Sequence, residues 1–136
     1  MQEVYMKILL IGGTGIISTA VSKALLAAGH ELWLINRGTH NHILPEGANY
    51  ITGDINDTNA MEKALSGQSF DCIADFIVLK PEQIARDYHL FHGRTKQYIF
   101  ISSASAYQKP LSHYEITEST PLSNPYWDYA ANKILC

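Results

Sequence analysis

Apolar residues fall along this chain in two patterns, short unbroken blocks and longer stretches at helical spacing. Lys7–Ile11 carries the block Ile8-Leu9-Leu10-Ile11, and an apolar run without alternation predicts a strand buried on both faces. Ile17, Val21, Ala24, Leu25 and Ala28 then recur at helical spacing, with Gly29 placed as the C-terminal cap. Glu31–Asn36 reads as the next strand, ended by Arg37-Gly38. The polar stretch from Thr39 to Gly47 contains Pro45 and reads as loop. A short strand at Asn49–Thr52 leads into Gly53-Asp54, and a helix follows over about Asn59 to Ser66. Phe70–Phe76 is a strand and Pro81–His92 a helix opened by proline in its first turn. Gln97–Ser102 reads as another buried strand, followed by a long polar segment. Asn124-Pro125 is expected to start the last helix, with Asn as the cap and Pro at the first helical position.

Strands alternating with helices predict an α/β domain with a parallel sheet covered on both faces. Right-handed crossovers give the strand order 3-2-1-4-5, with the switch point between the first and fourth strands. No linker or repeat interrupts the pattern, so residues 1–136 read as one domain.

Composition narrows the class. The chain is 46% hydrophobic and 17% charged with a formal net charge of −3, and this slight acidity argues against non-specific nucleic-acid binding. Ile8 to Ile11 is too short for a signal segment or a membrane span, which makes the expected location cytoplasmic and membrane contact unexpected. Cys72 lies inside a strand pattern and Cys136 is the last residue, so a disulfide framework has no basis.

The chemistry sits where strands end. Gly12, Gly13 and Gly15 lie between a predicted strand and a predicted helix, the context in which a glycine turn admits a pyrophosphate to free helix N–H groups. Thr14 within the turn and Ile16 and Ile17 at the helix start complete the candidate contacts, and Ser18 is the small residue where helix and strand pack closely. At the end of the second strand, Asn36-Arg37-Gly38 offers no acid for a ribose 2′-OH. Arg37 is free to meet a 2′-phosphate or stack on adenine, which leans the cofactor toward NADP over NAD; the alternative is a solvated strand end. After the third strand, Asp54 with Ile55 can flank the adenine and accept from its amino group, whereas Asp57 suits a helix cap.

Near the end of the chain, Tyr129 and Lys133 are four residues apart and share one helix face. A free phenol is a poor base at neutral pH, and an ammonium beside it favours the phenolate. Ser102-Ser103-Ala104-Ser105, at the carboxyl end of the fifth predicted strand, supplies hydroxyls to polarise a substrate oxygen.

These motifs together resemble the extended short-chain dehydrogenase/reductases, which include nucleotide-sugar epimerases and dehydratases. The resemblance runs from Lys7 to Cys136. It implies a Rossmann-type sheet, a phosphate turn at Gly12, Gly13, Gly15 and Ser18, and an adenine-side acid at Asp54. It matches Ser103 to the catalytic serine or threonine, Tyr107 to the tyrosine that trails it, and Tyr129 and Lys133 to the catalytic pair. Two departures stand out: Ser18 replaces the third glycine, and Asp75-Phe76-Ile77 stands where members carry small residues. The latter stretch lines the nicotinamide side, which makes Phe76 a cofactor contact. The Gly-Gly-Thr-Gly and Asn-Arg-Gly style also looks like a branch containing chloroplast stem-loop RNA-binding proteins.

The expected function is therefore NAD(P)-dependent epimerisation, dehydration or reduction of a small hydroxyl or carbonyl substrate of sugar-nucleotide type. Tyr129 is the acid/base, Lys133 tunes it, and Ser103 holds the substrate oxygen. The alternative is a non-catalytic binding module that senses cofactor or contacts RNA. The resembling chains continue well beyond the Tyr-x-x-x-Lys helix, so the 136 residues read as an N-terminal portion lacking the substrate-binding part and inactive alone. An uncovered edge of the fifth strand, or the last helix, is the expected surface for homo-oligomers. No metal site is expected: His40 with His42 and His89 with His92 lack ligand partners. Tyr126-Trp127 is expected in the core.

Overall fold

The computed structural model of the chain describes residues 5–38 and 44–136. His40 and His42 lie outside the described residues. Five strands form one parallel sheet, β1 (Lys7–Ile11), β2 (Glu31–Asn36), β3 (Asn49–Thr52), β4 (Phe70–Asp75) and β5 (Thr95–Phe100), in the order β3-β2-β1-β4-β5. The helices among the described residues are α1 (Ile16–Ala27), α2 (Thr58–Ala64), α3 (Pro81–Phe91) and α4 (Asp128–Leu135), with a 3-10 turn at Ala104–Ala106. The doubly wound order expected from the alternating elements is the one observed.

The unbroken apolar runs are explained by the two cores. Leu9 and Ile11 of β1 pack with Met61, Leu65, Leu90 and Phe91 of the α2–α3 side. Ile8 and Leu10 point the other way and pack with Val21, Leu25 and Leu26 of α1. A strand sandwiched between helices needs apolar residues at every position, which is why β1 does not alternate.

Three elements, and the pair Tyr126-Trp127, differ from the sequence expectation. In α1 the buried residues are Ser18 and Ser22, while Ile17 is 65% exposed. Serine presses closer to the sheet than a branched apolar residue, and the Ser22 hydroxyl is satisfied by donating to the Ser18 carbonyl at 2.8 Å. β5 is not a buried strand: among the described residues it pairs only with β4, and Ile99 is 38% exposed. The last helix starts at Asp128, not at Pro125. Asn124 is buried and spends its side chain on the loop, donating to the Ser105 carbonyl at 2.8 Å and accepting from the Tyr126 amide at 3.2 Å. Trp127 is then extended at φ −148°, so helix geometry begins only after it. Tyr126 and Trp127, expected in the core, are 74% and 55% exposed.

Candidate functional site

Ile11, Asn36, Thr52 and Asp75 end four adjacent strands at one edge of the sheet, and the functional residues cluster just beyond them. Gly12 turns with φ +83°, and a Cβ there would stand 2.2 Å from Ile77 Cγ2. Gly13 is needed for packing, since a Cβ would meet Leu34 Cδ2 at 2.7 Å. Ser18 closes the turn from beneath: its hydroxyl donates to the Gly12 carbonyl at 2.8 Å and accepts from the Gly15 amide at 2.9 Å. Serine thus replaces a third glycine with a bonded strut. The first-turn amides of Ile16 and Ile17 have no intrahelical carbonyls, and α1 has no acidic residue there to oppose an anion.

A cavity of about 970 Å³ runs along this edge. Its wall includes Gly12, Thr14, Gly15, Ile16 and Ile17 in the middle, and Asn36, Arg37, Asp54 and Ile55 on one side. On the other side stand Phe76, Ile77, Ser102, Tyr129 and Lys133. The candidate catalytic and cofactor residues therefore line one cavity, except Gly13, which packs behind it, and Ser103; Ser105, Tyr107 and Asp57 also lie off its wall. Ile55 is a wall residue whose side chain belongs to the core.

At the Arg37 end, Asn36 Oδ1 accepts from the Gly38 amide at 2.8 Å, while its buried Nδ2 has no hydrogen-bond partner among the described residues. Arg37 is exposed over the cavity. Asp54 is also exposed, and the Asn56 amide, the Asn56 side chain and the nearby Arg37 and Arg86 charges hold its carboxyl below the usual carboxylate range. It stays an acceptor at neutral pH. Asp57 is the cap of α2, accepting from the Ala60 amide at 3.0 Å.

At the opposite end Lys133 is 5% exposed. Its ammonium donates to the carbonyls of Val78 and Ile101 at 2.5 and 2.8 Å and lies 4.6 Å from the Phe100 ring centroid and 5.8 Å from that of Tyr129. Two of its three donors are engaged, leaving one. The Tyr129 ring packs on Trp127 with centroids 4.7 Å apart. Ser103 caps the 3-10 turn, its hydroxyl 2.8 Å from that of Ser105 and accepting from the Ser105 amide at 3.2 Å. Tyr107 bridges to Leu122 across the folded-back loop.

Sequence reasoning missed the Leu79 wall, although it offered Ser102 within the serine run after β5, and it treated Asp75 as bulk although Asp75 is fully buried. An aspartate directly after the apolar run Cys72-Ile73-Ala74 is the signal that was available.

A glycine turn at a helix N-terminus, an orphaned amide, an arginine and a long cavity at the switch point define a dinucleotide-binding Rossmann protein, and these residues fit such a ligand. The chain belongs to the NAD dependent epimerase/dehydratase family, whose sequence profile matches residues 8–92. It is thus one of the extended short-chain dehydrogenase/reductases. It is 28% identical to a UDP-glucose 4-epimerase of Lactobacillus helveticus, over 96% of this chain and 44% of that protein. It is 29% identical to the chloroplast stem-loop binding protein of 41 kDa b of Arabidopsis thaliana, over 76% of this chain and 30% of that protein. Among solved structures it superposes with a TM-score of 0.79 and 19% identity on the Bordetella bronchiseptica enzyme WbmG in complex with NAD and UDP, covering 97% of this chain and 48% of that one. The chain spans about 44% of the length of the epimerase it matches. Among the described residues no helix is long and apolar enough to cross a membrane.

Proposed function

We propose that the chain is the dinucleotide-binding part of an NAD(P)-dependent enzyme that epimerises, dehydrates or reduces a nucleotide-sugar-like substrate. The observation that carries this reading is the continuity of one cavity from Arg37 and Asp54, past the glycine turn, to Tyr129 and Lys133. The likeness to UDP-glucose 4-epimerases supports the substrate class. When bound, the nicotinamide supplies a hydride acceptor and donor.

The chain's own residues supply the rest. The free first-turn amides of α1 would hold a pyrophosphate, Asn36 Nδ2 would offer a donor to a ribose, and Arg37 would meet a 2′-phosphate. Tyr129 exchanges a proton with the substrate oxygen, and the tethered Lys133 keeps a positive charge beside that phenol. Ser103 is assigned to the substrate oxygen, with Ser105 orienting its hydroxyl.

In a full-length context, Tyr129→Phe should remove most turnover, at least about a hundredfold, with cofactor affinity nearly unchanged, because it deletes a hydroxyl used only for proton transfer. Lys133→Ala should impair both. Steady-state kinetics with candidate sugar nucleotides, together with reduced-cofactor fluorescence, read the two effects. Normal turnover in Tyr129→Phe would rule out the proton-transfer assignment. The likeness to the stem-loop binding protein favours a second reading, a non-catalytic module; cofactor binding without oxidation or reduction on any sugar nucleotide would support it.

A further inference from the structure

Below the cavity floor, buried polar side chains meet at a place that contributes no wall to the cofactor site. Asp75 closes β4 with its carboxylate inside the protein, and Oδ1 accepts from the amides of Ile77 at 2.6 Å and Val78 at 2.8 Å. Its buried Oδ2 has no hydrogen-bond partner among the described residues and lies 3.9 Å from Arg86 Nη2. Arg86 in turn donates to Asp87 Oδ1 through Nε at 2.8 Å, and Tyr98 donates to Asp87 Oδ2 at 2.5 Å. On its other side Arg86 Nη1 donates to Asn56 Oδ1 at 2.6 Å, and Asn56 donates to Asp54 Oδ1 from its amide and its Nδ2, each at 2.9 Å.

The turn that Asp75 holds builds the catalytic end of the cavity. Phe76 and Ile77 are its wall, and the Val78 carbonyl is one of the two tethers of Lys133. We propose that Asp75 is the positioning residue of this site: through the turn after β4 it fixes Lys133 and the apolar wall, and its charge state sets the affinity for the dinucleotide. The proposal rests on reading the cavity as a dinucleotide site.

An apolar residue at this position would leave the part-buried Ile77 amide and the buried Val78 amide without an acceptor. Asparagine could serve both amides, so the turn alone does not require a charge. What aspartate adds is a titratable group facing Arg86 and Asp87 of α3 and Tyr98 of β5, with Lys133 of α4 one carbonyl away and Asp54 reached through Asn56. The β1 partner, Ile11, offers no charge. Protonated Asp75 leaves Arg86 and Asp87 balanced; ionised, it adds a negative charge beneath a cavity suited to a pyrophosphate. Desolvation, followed by the neighbouring Asp87, raises the Asp75 carboxyl well above the usual range, so this exchange falls near neutral pH.

The test is a fluorescence titration of NADH and NADPH at pH 6 and pH 8 with wild type, Asp75→Asn and Asp75→Ala, alongside the amide resonances of Ile77 and Val78 over the same range. Wild-type affinity should fall roughly three- to tenfold at the higher pH. Asp75→Asn should bind equally at both, with static Ile77 and Val78 amides, and Asp75→Ala should lose on the order of tenfold at both. Where Asp75→Ala does not fold, Asp75→Asn decides alone. Wild-type binding that is flat with pH, or an Asp75→Asn variant that keeps the wild-type profile, would overturn the proposal alone. A wild type that binds neither dinucleotide would overturn the functional reading, and the proposal with it.

Discussion

Arg37 and Asp75 show how differently a charge behaves at the cavity mouth and beneath its floor. Arg37 is exposed and free to follow a ligand phosphate. Arg37→Ala should therefore weaken NADP by about tenfold and NAD by much less, since only NADP brings a 2′-phosphate to the guanidinium. Titration of both cofactors against wild type and variant reads this, and equal losses would favour NAD, the cofactor named for the family. Asp75 is fully buried, and desolvation and Asp87 push its carboxyl from 3.8 up to about 7. The folded chain then keeps a proton that the unfolded chain releases between about pH 4 and pH 7. Stability should decline as pH rises through that window and level off above it, by at most about 4 kcal/mol at ~1.4 kcal/mol per unit. Urea unfolding of wild type and Asp75→Asn at pH 5 and pH 8 checks the sign: the wild type should lose more stability than the variant.

At the scale of elements, the turn between β1 and α1 is shaped by what lies above and below it. Gly12 is in the left-handed region with Ile77 directly over it, whereas Gly15 has φ −78° and its nearest neighbour is Ser18 Oγ at 3.3 Å. Gly12→Ala should cost about 2 kcal/mol or more in folding stability and displace Ile77 from the cavity wall. Gly15→Ala should cost well under half of that while still crowding the phosphate side. Thermal unfolding and cofactor titration of the two variants separate backbone strain from ligand exclusion. The turn after β4 answers to the same logic, because Ile77 is held down by Asp75 and in turn covers Gly12.

At the scale of the whole molecule, the sheet ends at β5. Among the described residues β5 pairs on one side only, and its Ile99 is 38% exposed. An apolar strand edge is a template for another chain. The 136-residue chain by itself should self-associate in a concentration-dependent way, and Ile99→Lys should shift it toward monomer without lowering cofactor affinity. Size-exclusion chromatography with light scattering measures both, and a monodisperse wild-type monomer at high concentration would refute the prediction.

The sequence by itself determined the strand order, the glycine turn and the placing of Arg37, Asp54, Tyr129 and Lys133 around one site. These are consequences of local rules: buried strands are apolar throughout, crossovers are right-handed, and strand ends in a parallel sheet share one edge. Tertiary structure decided the rest. Ile17 looked buried by periodicity, but the closeness of helix to sheet brought Ser18 and Ser22 inward instead. Asn124 looked like a helix cap, but a carbonyl of Ser105, distant in sequence, claimed its side chain. Asp75 looked like an ill-fitting bulk in a strand. It became a structural group only when α3 brought Arg86 and Asp87 against it and the turn above offered two amides, partners whose proximity no local pattern encodes.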